Sequence, residues 1–498
     1  MKTPICLITP QSPFLLDERV FMHIGILKIA SVLREAGHRV DVLDFSGVSE
    51  EDTRVILGTY IRNNPEVTRF GLTATTPQIP YAALIAKYIK EQKDDSILIL
   101  GGTHVSLMHS AYKLEVKSDK LGRANNDINR LQDLFDILVA GDGEKIIFET
   151  FKTDSGILDA DDPKSEFFLT NDEFSDLPMP ARDLLDIDSY HYSIEGNKAT
   201  SLIAQLGCPF KCAFCGGRYS PFLRRIRNRG VESIISEVEH LYLTYGYTGF
   251  MFYDDELNVS KSFNQMLKDL ISLQKKHGVT FTFRGFVKAE LLTQEDAHLM
   301  YSAGFRWLLT GFESGDERIL VNIQKNADLE ANTRCINYAK NAGLKVKALM
   351  SIGHAGESKE SIENTKNWLL EVKPEDFDCT IITTYPGTPY FDEAELVDGV
   401  YVYTSPKTGD KLYQKDLDYF TCPDYYKGDP DGGYKAHVWT DSISSEDLVV
   451  CREELEREVR DKLNIPFNPA GGIVEFEHSM GQGQVIPNSI LRSTQQES

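Results

Sequence analysis

Along the first 150 residues the apolar positions follow two alternating patterns, short unbroken runs and stripes at helical spacing. Ile5–Thr9 is a short run ending in the loop Pro10-Gln11-Ser12-Pro13, the mark of a buried strand. Between Ile24 and Glu35 the residues Ile24, Leu27, Ile29, Ala30 and Leu33 recur at helical spacing, and the stripe stops at Gly37. Further strands are predicted at Val40–Phe45, Arg69–Ala74, Ser96–Leu100 and Ile137–Ala140. Helices are predicted at 51–63 and 80–92, with another opened by Gly141-Asp142-Gly143-Glu144. This regular alternation predicts an α/β domain over 1–150, a doubly wound parallel sheet with ligands at the carboxyl ends of its strands.

Residues 151–198 break the rhythm. They are acidic and carry prolines (Asp159-Ala160-Asp161-Asp162-Pro163, then Leu177-Pro178-Met179-Pro180), which reads as a linker. A second series fills 199–390. Strands are predicted at Ser201–Leu206, Gly249–Tyr253, Thr280–Phe286, Trp307–Gly311, Lys345–Ile352 and Asp378–Thr384. Helix-like segments at 231–245, 260–277, 293–303, 328–342 and 358–371 separate them. Six such repeats fit a partial (β/α)6 barrel, shorter than the ~250 residues of the eightfold form. Beyond Pro389 the regularity fades into a small carboxyl-terminal region, 391–468, with one helix expected at Ser445–Lys462. From Pro469 the chain is Gly-, Gln- and Ser-rich, so 469–498 is expected to be a flexible tail.

Composition narrows the partners. The 498 residues suffice for two to four domains at ~150 residues each. With 53 basic and 75 acidic residues the net charge is −22, which argues against nucleic acid as the main partner. No apolar run reaches the 18 or more residues of a spanning helix. Met1-Lys2-Thr3-Pro4 leads straight into Ile5-Cys6-Leu7-Ile8, too short for a signal-peptide core, so a cytoplasmic protein is expected.

The eight cysteines stand at 6, 208, 212, 215, 335, 379, 422 and 451. Scattered cysteines in a reducing compartment are usually buried small hydrophobes. Three, however, share the segment Cys208-Pro209-Phe210-Lys211-Cys212-Ala213-Phe214-Cys215-Gly216-Gly217, directly after the first barrel strand. Structural zinc takes four ligands, commonly as two separated pairs, and no second pair is available here. A 4Fe–4S cube fits better, because three thiolates can hold three irons and leave the fourth open to a substrate or cofactor.

This CxxxCxxC pattern, with Phe214 before its last cysteine, resembles the radical S-adenosylmethionine (SAM) superfamily. The resemblance continues through four further segments: Phe252-Tyr253-Asp254-Asp255-Glu256; Gly311-Phe312-Glu313-Ser314-Gly315; Met350 to Ser358; and Tyr385-Pro386-Gly387-Thr388-Pro389. It implies a TIM-like partial barrel in which Cys208, Cys212 and Cys215 are the metal ligands and catalytic centre. It also implies that Gly216 and Gly217 lie against the methionine amino group of SAM and Glu313, with Ser314, against its methionine or ribose part. The segment Ile352, Gly353 to Glu357 would face the adenine. Asp254 and Asp255 are further candidates, and solvated strand-end charge is the competing account for them and for Glu313. His354 reads as a loop residue.

A doubly wound domain ahead of such a barrel resembles the cobalamin-binding, class B methyltransferase-like branch. Its marks here are Ile24-Gly25-Ile26, Ala36-Gly37-His38-Arg39-Val40 with Asp44, Gly101-Gly102-Thr103-His104 and Gly141-Asp142-Gly143-Glu144. The candidate contacts to cobalamin in this Rossmann-like sheet are Thr9, Thr73, Thr75, Gly101, Gly102, Thr103, His104, Gly141 and Gly143. Glycines at strand ends would let a corrin approach the backbone. The Asp-x-His-x-x-Gly signature is absent, so no histidine is expected below the cobalt. A degenerate sheet that binds nothing and a nucleotide site are the competing accounts. The tRNA methylthiotransferases fit less well, because their sheet carries its own cysteine cluster and a basic RNA module follows their barrel. Here the sheet holds only Cys6, and 391–468 is acidic and Tyr-rich.

The resemblance implies an enzyme that cleaves SAM reductively to a 5′-deoxyadenosyl radical and methylates an unactivated carbon of a small molecule or peptide through methylcobalamin. Its electron donor would be a flavodoxin or ferredoxin. Rearrangement, ring contraction or oxidative cyclisation with the same cofactors is the alternative chemistry, and an iron–sulfur redox sensor the non-enzymatic one. The tyrosines 401, 403, 413, 419, 425, 426 and 434 would form either a substrate lid or surface packing.

Overall fold

The computed structural model describes residues 2–12, 19–421 and 433–467; Pro13, Cys422, Tyr425, Tyr426 and the tail expected from Pro469 lie outside them. The first sheet contains β1 (Ile5–Thr9), β2 (Val40–Asp44), β3 (Arg69–Thr73), β4 (Ile97–Gly101), β5 (Ile137–Gly141) and β6 (Gly156–Ala160). All six strands are parallel, in the order β2-β1-β3-β4-β5-β6. Alternate side chains feed two cores: Ile5 and Leu7 on one face, Cys6 and Ile8 on the other. The order reverses between β1 and β3, which places a crevice between Thr9 and Thr73 at their carboxyl ends.

Two features here were not anticipated. Helix Thr103–Ser118 buries eight consecutive residues, His104 to Ala111, so it presents no one-sided stripe to read. Strand β6 lies in the stretch expected to be linker, because only Ile157 and Leu158 carry its apolar signal among acidic neighbours. The remainder of 151–198 is held against helix Ile24–Glu35, where Lys28 Nζ donates to Pro178 O at 2.9 Å and Ala181 N to Leu27 O at 3.1 Å.

The second sheet begins with an antiparallel hairpin, β7 (Ser193–Ile194) and β8 (Asn197–Leu202). A short antiparallel ribbon follows, β9 (Gln205–Leu206) with β10 (Arg227–Asn228). Then come β11 (Gly249–Phe252), β12 (Thr282–Phe286), β13 (Phe305–Glu313), β14 (Lys345–Ile352) and β15 (Asp376–Ile381). Strands β8 and β11 to β15 are parallel neighbours, which makes the expected six-stranded half-barrel. The first barrel strand ends earlier than Leu206. Asp254 accepts hydrogen bonds from the amides of Ala204 and Gln205, and the chain leaves the sheet there.

Beyond residue 390 the structure adds an antiparallel sheet that local patterning does not reveal: β16 (Glu395–Val397), β17 (Val400–Thr404), β18 (Lys411–Gln414) and β19 (Val438–Trp439). Helix Ser445–Leu463 lies along the open side of β15 and bonds its backbone with side chains. Arg452 Nε donates to Cys379 O at 2.9 Å, Arg460 Nη2 to Phe377 O at 2.7 Å, and Glu456 accepts from Cys379 N. Tyr434 Oη accepts from Ile381 N at 3.0 Å. No helix of the described residues is long and apolar enough to cross a membrane.

Candidate active site

The cysteine loop hangs from the β9–β10 ribbon, where Leu206 pairs with Arg227. Gly207 opens it at φ 82°, and a Cβ there would sit 2.2 Å from Arg225 O. The loop is pinned by Cys208 N to Leu223 O at 3.0 Å, Ala213 N to Ile323 O at 2.8 Å and Gly217 N to Gly387 O at 2.8 Å. Its centre is filled by a residue that local spacing does not flag. Arg224 donates to Gly217 O and Phe210 O at 3.0 Å, to Cys208 O at 3.3 Å and to Gly216 O, and its Nη2 stands 3.5 Å from Cys215 Sγ.

Burial pushes the Cys208 thiol up to about 12 and the Cys212 thiol to about 11, so both are protonated until a metal displaces the proton. Among the described residues no three His, Cys, Asp or Glu side chains meet at one single-ion position. A cube, whose irons each take a separate thiolate, requires no such point, and three soft donors on one loop fit it.

Across from the loop, Glu313 ends β13 at φ 66°, a left-handed conformation rare outside glycine, beside a register shift at Gly311. Lys325 Nζ lies 2.8 Å from Glu313 Oε1 and also donates to Gly311 O. Ser351 Oγ donates to Glu313 Oε2 at 2.8 Å and lies 2.8 Å from His354 Nε2, whose Nδ1 is 3.2 Å from Tyr390 Oη. Gln324 and Asn326, at φ 55° and 56°, flank Lys325 and turn it inward. A Cβ on Gly311 would fall 2.4 Å from Glu313 Oε1 and 2.8 Å from Lys325 Nζ, so this glycine makes room for the ion pair. Burial works to raise the Glu313 carboxyl, but the Lys325 ammonium outweighs it and holds the group below its ordinary value. Burial pushes the His354 imidazole down to about 4, leaving it neutral. His354 is thus a loop residue, as its sequence context suggests, and also a buried member of this network, its ring edge-on to Phe214 at 5.3 Å.

Several candidates have partners in the scaffold. Asp254 is wholly committed to the amides of Ala204 and Gln205. Asp255 is exposed beside the cysteine loop, facing Arg224. Ser314 Oγ bonds Thr365 Oγ1 at 3.1 Å and caps the next turn. Ile352 packs into the core, and Gly353 would strike Ile381 and Val438 if it carried a Cβ. Glu357 accepts from Gly353 N at 2.9 Å and from Ser361 Oγ, which ties down its own loop. The glycines of the cysteine loop also answer to the chain itself: Gly216 would meet Leu107 at 3.1 Å, and Gly217, at φ 75°, Leu223 at 2.2 Å.

The candidates on the sheet likewise have neighbours in the chain. A Cβ on Gly102, at φ 99°, would lie 2.7 Å from Ala74 N. On Gly141, at φ 89°, it would lie 2.6 Å from Asp161 N, and on Gly143 2.7 Å from Ile29 Cδ1. At Gly102 and Gly141 the neighbouring backbone by itself demands glycine; Gly101 meets nothing closer than 3.8 Å. Thr73 Oγ1 lies 3.5 Å from His23 Nε2, and Thr75 forms a capping box with Gln78. Thr103 is exposed, whereas His104 is buried with Nδ1 3.1 Å from Thr76 Oγ1, and burial pushes its imidazole down to about 3. His104 Nε2 and Gln11 Oε1, both buried near the carboxyl edge of the sheet, have no partner among the described residues. A ligand rich in amide groups, as a corrin is, fits such orphaned atoms.

That edge meets the cysteine loop. Leu107 of helix Thr103–Ser118 lodges where a Cβ on either Gly216 or Gly387 would strike it, at 3.1 and 3.0 Å. Asp161, just past β6, accepts from Ser220 Oγ at 2.9 Å and Phe222 N at 2.7 Å. Arg227 forms a buried ion pair with Asp142 between the rings of Phe168 and Phe222.

Comparison with known proteins agrees with this geometry. Residues 202–369 match the radical SAM superfamily and residues 19–119 the B12 binding domain. The chain is 27% identical over 373 residues to the uncharacterized methyltransferase PH0819 of Pyrococcus horikoshii, covering 74% of this chain and 78% of that one. It is 24% identical over 387 residues to the anaerobic magnesium-protoporphyrin IX monomethyl ester cyclase of Rubrivivax gelatinosus, covering 76% and 67%. Its fold is shared with the radical S-adenosylmethionine methyltransferase TsrM of Kitasatospora setae, a structure with cobalamin and a 4Fe–4S cluster bound, at a TM-score of 0.66, 16% identity and 91% of each chain. The chain thus carries both a radical SAM domain and a B12 binding domain. Its cofactors are accordingly the 4Fe–4S cluster, SAM and cobalamin.

Proposed function

We propose that the protein transfers a methyl group to an unactivated carbon of a small molecule or peptide. The observation that carries this reading is the meeting of the two cofactor domains, the carboxyl edge of the first sheet against the cysteine loop, with Leu107 between Gly216 and Gly387. When bound, the cofactors supply hydrogen abstraction from carbon and a transferable methyl group. The chain supplies position and charge. Cys208, Cys212 and Cys215 hold the cluster, and Arg224 fixes their loop. The Glu313–Lys325 pair offers one acceptor and one donor of fixed charge to the amino-acid end of SAM. Thr9, Thr73 and His104 border the corrin side at the carboxyl edge of the sheet. Methyl transfer is also supported by the methyltransferase relatives.

Its electron donor is assigned to a flavodoxin or ferredoxin and its compartment to the cytoplasm. The seven described cysteines, all free thiols, suit a reducing compartment. The cyclase relative favours one second reading, oxidative cyclisation with the same cofactors.

The test uses the full chain reconstituted without oxygen in iron, sulfide and cobalamin. With a reductant it should convert SAM to 5′-deoxyadenosine. Cys212→Ala should lose the iron–sulfur absorption and keep the corrinoid. With substrate, S-adenosylhomocysteine should accumulate; 5′-deoxyadenosine without it would decide for cyclisation, and no SAM cleavage at all would sink both.

A further inference from the structure

The side chains behind Glu313 form a line of hydrogen bonds with a direction. Ser351 has one hydroxyl proton and two neighbours, Glu313 Oε2 and His354 Nε2, each 2.8 Å away. Glu313 is held ionised by Lys325 and can only accept, so the Ser351 proton goes to it. Ser351 must then accept from His354, which puts the imidazole proton on Nε2 and leaves Nδ1 an acceptor. The Tyr390 hydroxyl, 3.2 Å from Nδ1, donates to it. Every donor in the line Tyr390, His354, Ser351 therefore points toward one carboxylate. The opposite tautomer would leave Ser351 with one contact that has no proton in it.

A buried histidine needs partners to offset its desolvation, and any two would serve. Here they come from separate elements. Ser351 is on β14, on the opposite face from Met350 and Ile352, which enter the core. His354 lies in the loop after β14, where Glu357 accepts from the amides of Gly353 and His354 at 2.9 and 3.4 Å. Thr440, just past β19, fixes that loop by donating to Glu357 O at 2.7 Å. Tyr390 belongs to the short helix Pro389–Asp392, with its ring 4.7 Å from that of Tyr403 on β17. Ser351, His354 and Tyr390 are all buried, so their bonds lie out of water and polarise one another.

The line also touches the cysteine loop. Tyr390 N donates to Ala213 O at 3.3 Å, and the His354 ring meets that of Phe214 at 5.3 Å. Ala213 and Phe214 are the two residues between Cys212 and Cys215. From the other side Lys325 takes Glu313 Oε1, and Ile323, two residues before it, accepts from Ala213 N at 2.8 Å. A carboxylate gripped at both oxygens keeps a lone pair on each for an incoming donor, at a fixed angle. We infer that His354 and Tyr390 are positioning residues, which through Ser351 aim the Glu313 carboxylate at the amino-acid end of SAM and hold it in place relative to the cysteine loop. The inference rests on the proposed reading for Glu313 as a contact of SAM.

The experiment is equilibrium dialysis of radiolabelled SAM against the cluster-loaded full chain, with the cluster oxidised so that nothing is cleaved. His354→Leu and Ser351→Ala should each weaken SAM about tenfold, and Tyr390→Phe, which keeps its ring, about threefold. His354→Gln, which keeps an N–H for Ser351, should recover most of the loss. Because the line acts through Glu313, His354→Leu should cost little further affinity in a Glu313→Gln background. Imidazole nitrogen NMR of the wild type should show a neutral Nε2–H resonance that His354→Gln removes. Iron content equal to wild type checks folding, and Tyr390→Phe carries the test if His354→Leu loads poorly. Wild-type affinity in Tyr390→Phe and Ser351→Ala, an undiminished loss from His354→Leu on Glu313→Gln, or an Nδ1–H resonance for His354 overturns the inference. Glu313→Gln separates the two claims. If it binds SAM as wild type does, the proposed contact itself fails; if it binds weakly while His354→Leu does not, only the positioning role fails.

Discussion

Arg224 stands with Nη2 3.5 Å from Cys215 Sγ while the rest of its guanidinium is taken up by four carbonyls of the same loop. A fixed cation that donates an N–H toward a thiolate that would ligate the cluster does two things. It holds the loop in one shape, and it stabilises the more negative, reduced state of whatever the thiolate ligates.

Replacing Arg224 should therefore shift the cluster potential. Arg224→Gln is expected to load iron yet show a more negative midpoint in a redox titration followed by electron paramagnetic resonance. Arg224→Lys, which keeps the charge and loses the fork, should fall between the two. Equal potentials in all three would refute the electrostatic part of this account.

Glu313 and Lys325 are buried partners, so removing one strands the other. Glu313→Gln and Lys325→Met should each destabilise the chain by ~3 kcal/mol, while the double variant loses less than the sum. Denaturation of the four proteins completes the cycle. In both single variants the spectral change that SAM induces in the cluster should weaken, and iron content should stay at the wild-type level.

Gly207 has no substitute. Alanine there would place a Cβ 2.2 Å from Arg225 O in a left-handed backbone. Gly207→Ala is expected to reduce bound iron from ~4 to below ~1 atom per chain after reconstitution. Full loading would mean that the β9–β10 ribbon tolerates opening.

Glu237 predicts an acid limit. Burial opposes its charge, but Arg182, 2.7 Å away, and Arg229 outweigh burial and hold the carboxyl at about 2, against an ordinary 4.5. The folded chain thus binds this proton more weakly than the unfolded one. Its contribution is present above pH 4.5 and lost as pH falls toward 2. Wild type and Glu237→Gln should differ in thermal midpoint at neutral pH and converge below pH 4.5, as scanning calorimetry can check.

What local sequence carries and what it omits divides along contact range. Cys208, Cys212 and Cys215 are legible because one loop holds all three, and Glu313 because Gly311 and Gly315 frame it. Lys325 and Arg224 are not: each acts through a turn, one held by the left-handed Gln324 and Asn326 and one by the ribbon that brings residue 224 back onto 208–217. The glycines are open to two readings for the same reason. Gly102, Gly141 and Gly216 announce a close approach without saying to what, and within the chain Ala74, Asp161 and Leu107 come close to them. Strands β16 to β19 pair across distances no local window spans, and Tyr434, expected in a lid or in surface packing, bonds Ile381 instead.

The helix that lies along β15 has a consequence beyond holding the half-barrel in shape. Six strands do not close a circle, and the last would otherwise offer a ladder of free amides and carbonyls to any extended peptide. Arg452, Glu456 and Arg460 occupy that ladder with side chains, which can stop a sheet but cannot continue one. The carboxyl-terminal helix is in this sense a guard against self-association, and losing its charged face should appear first as aggregation, before any change in chemistry.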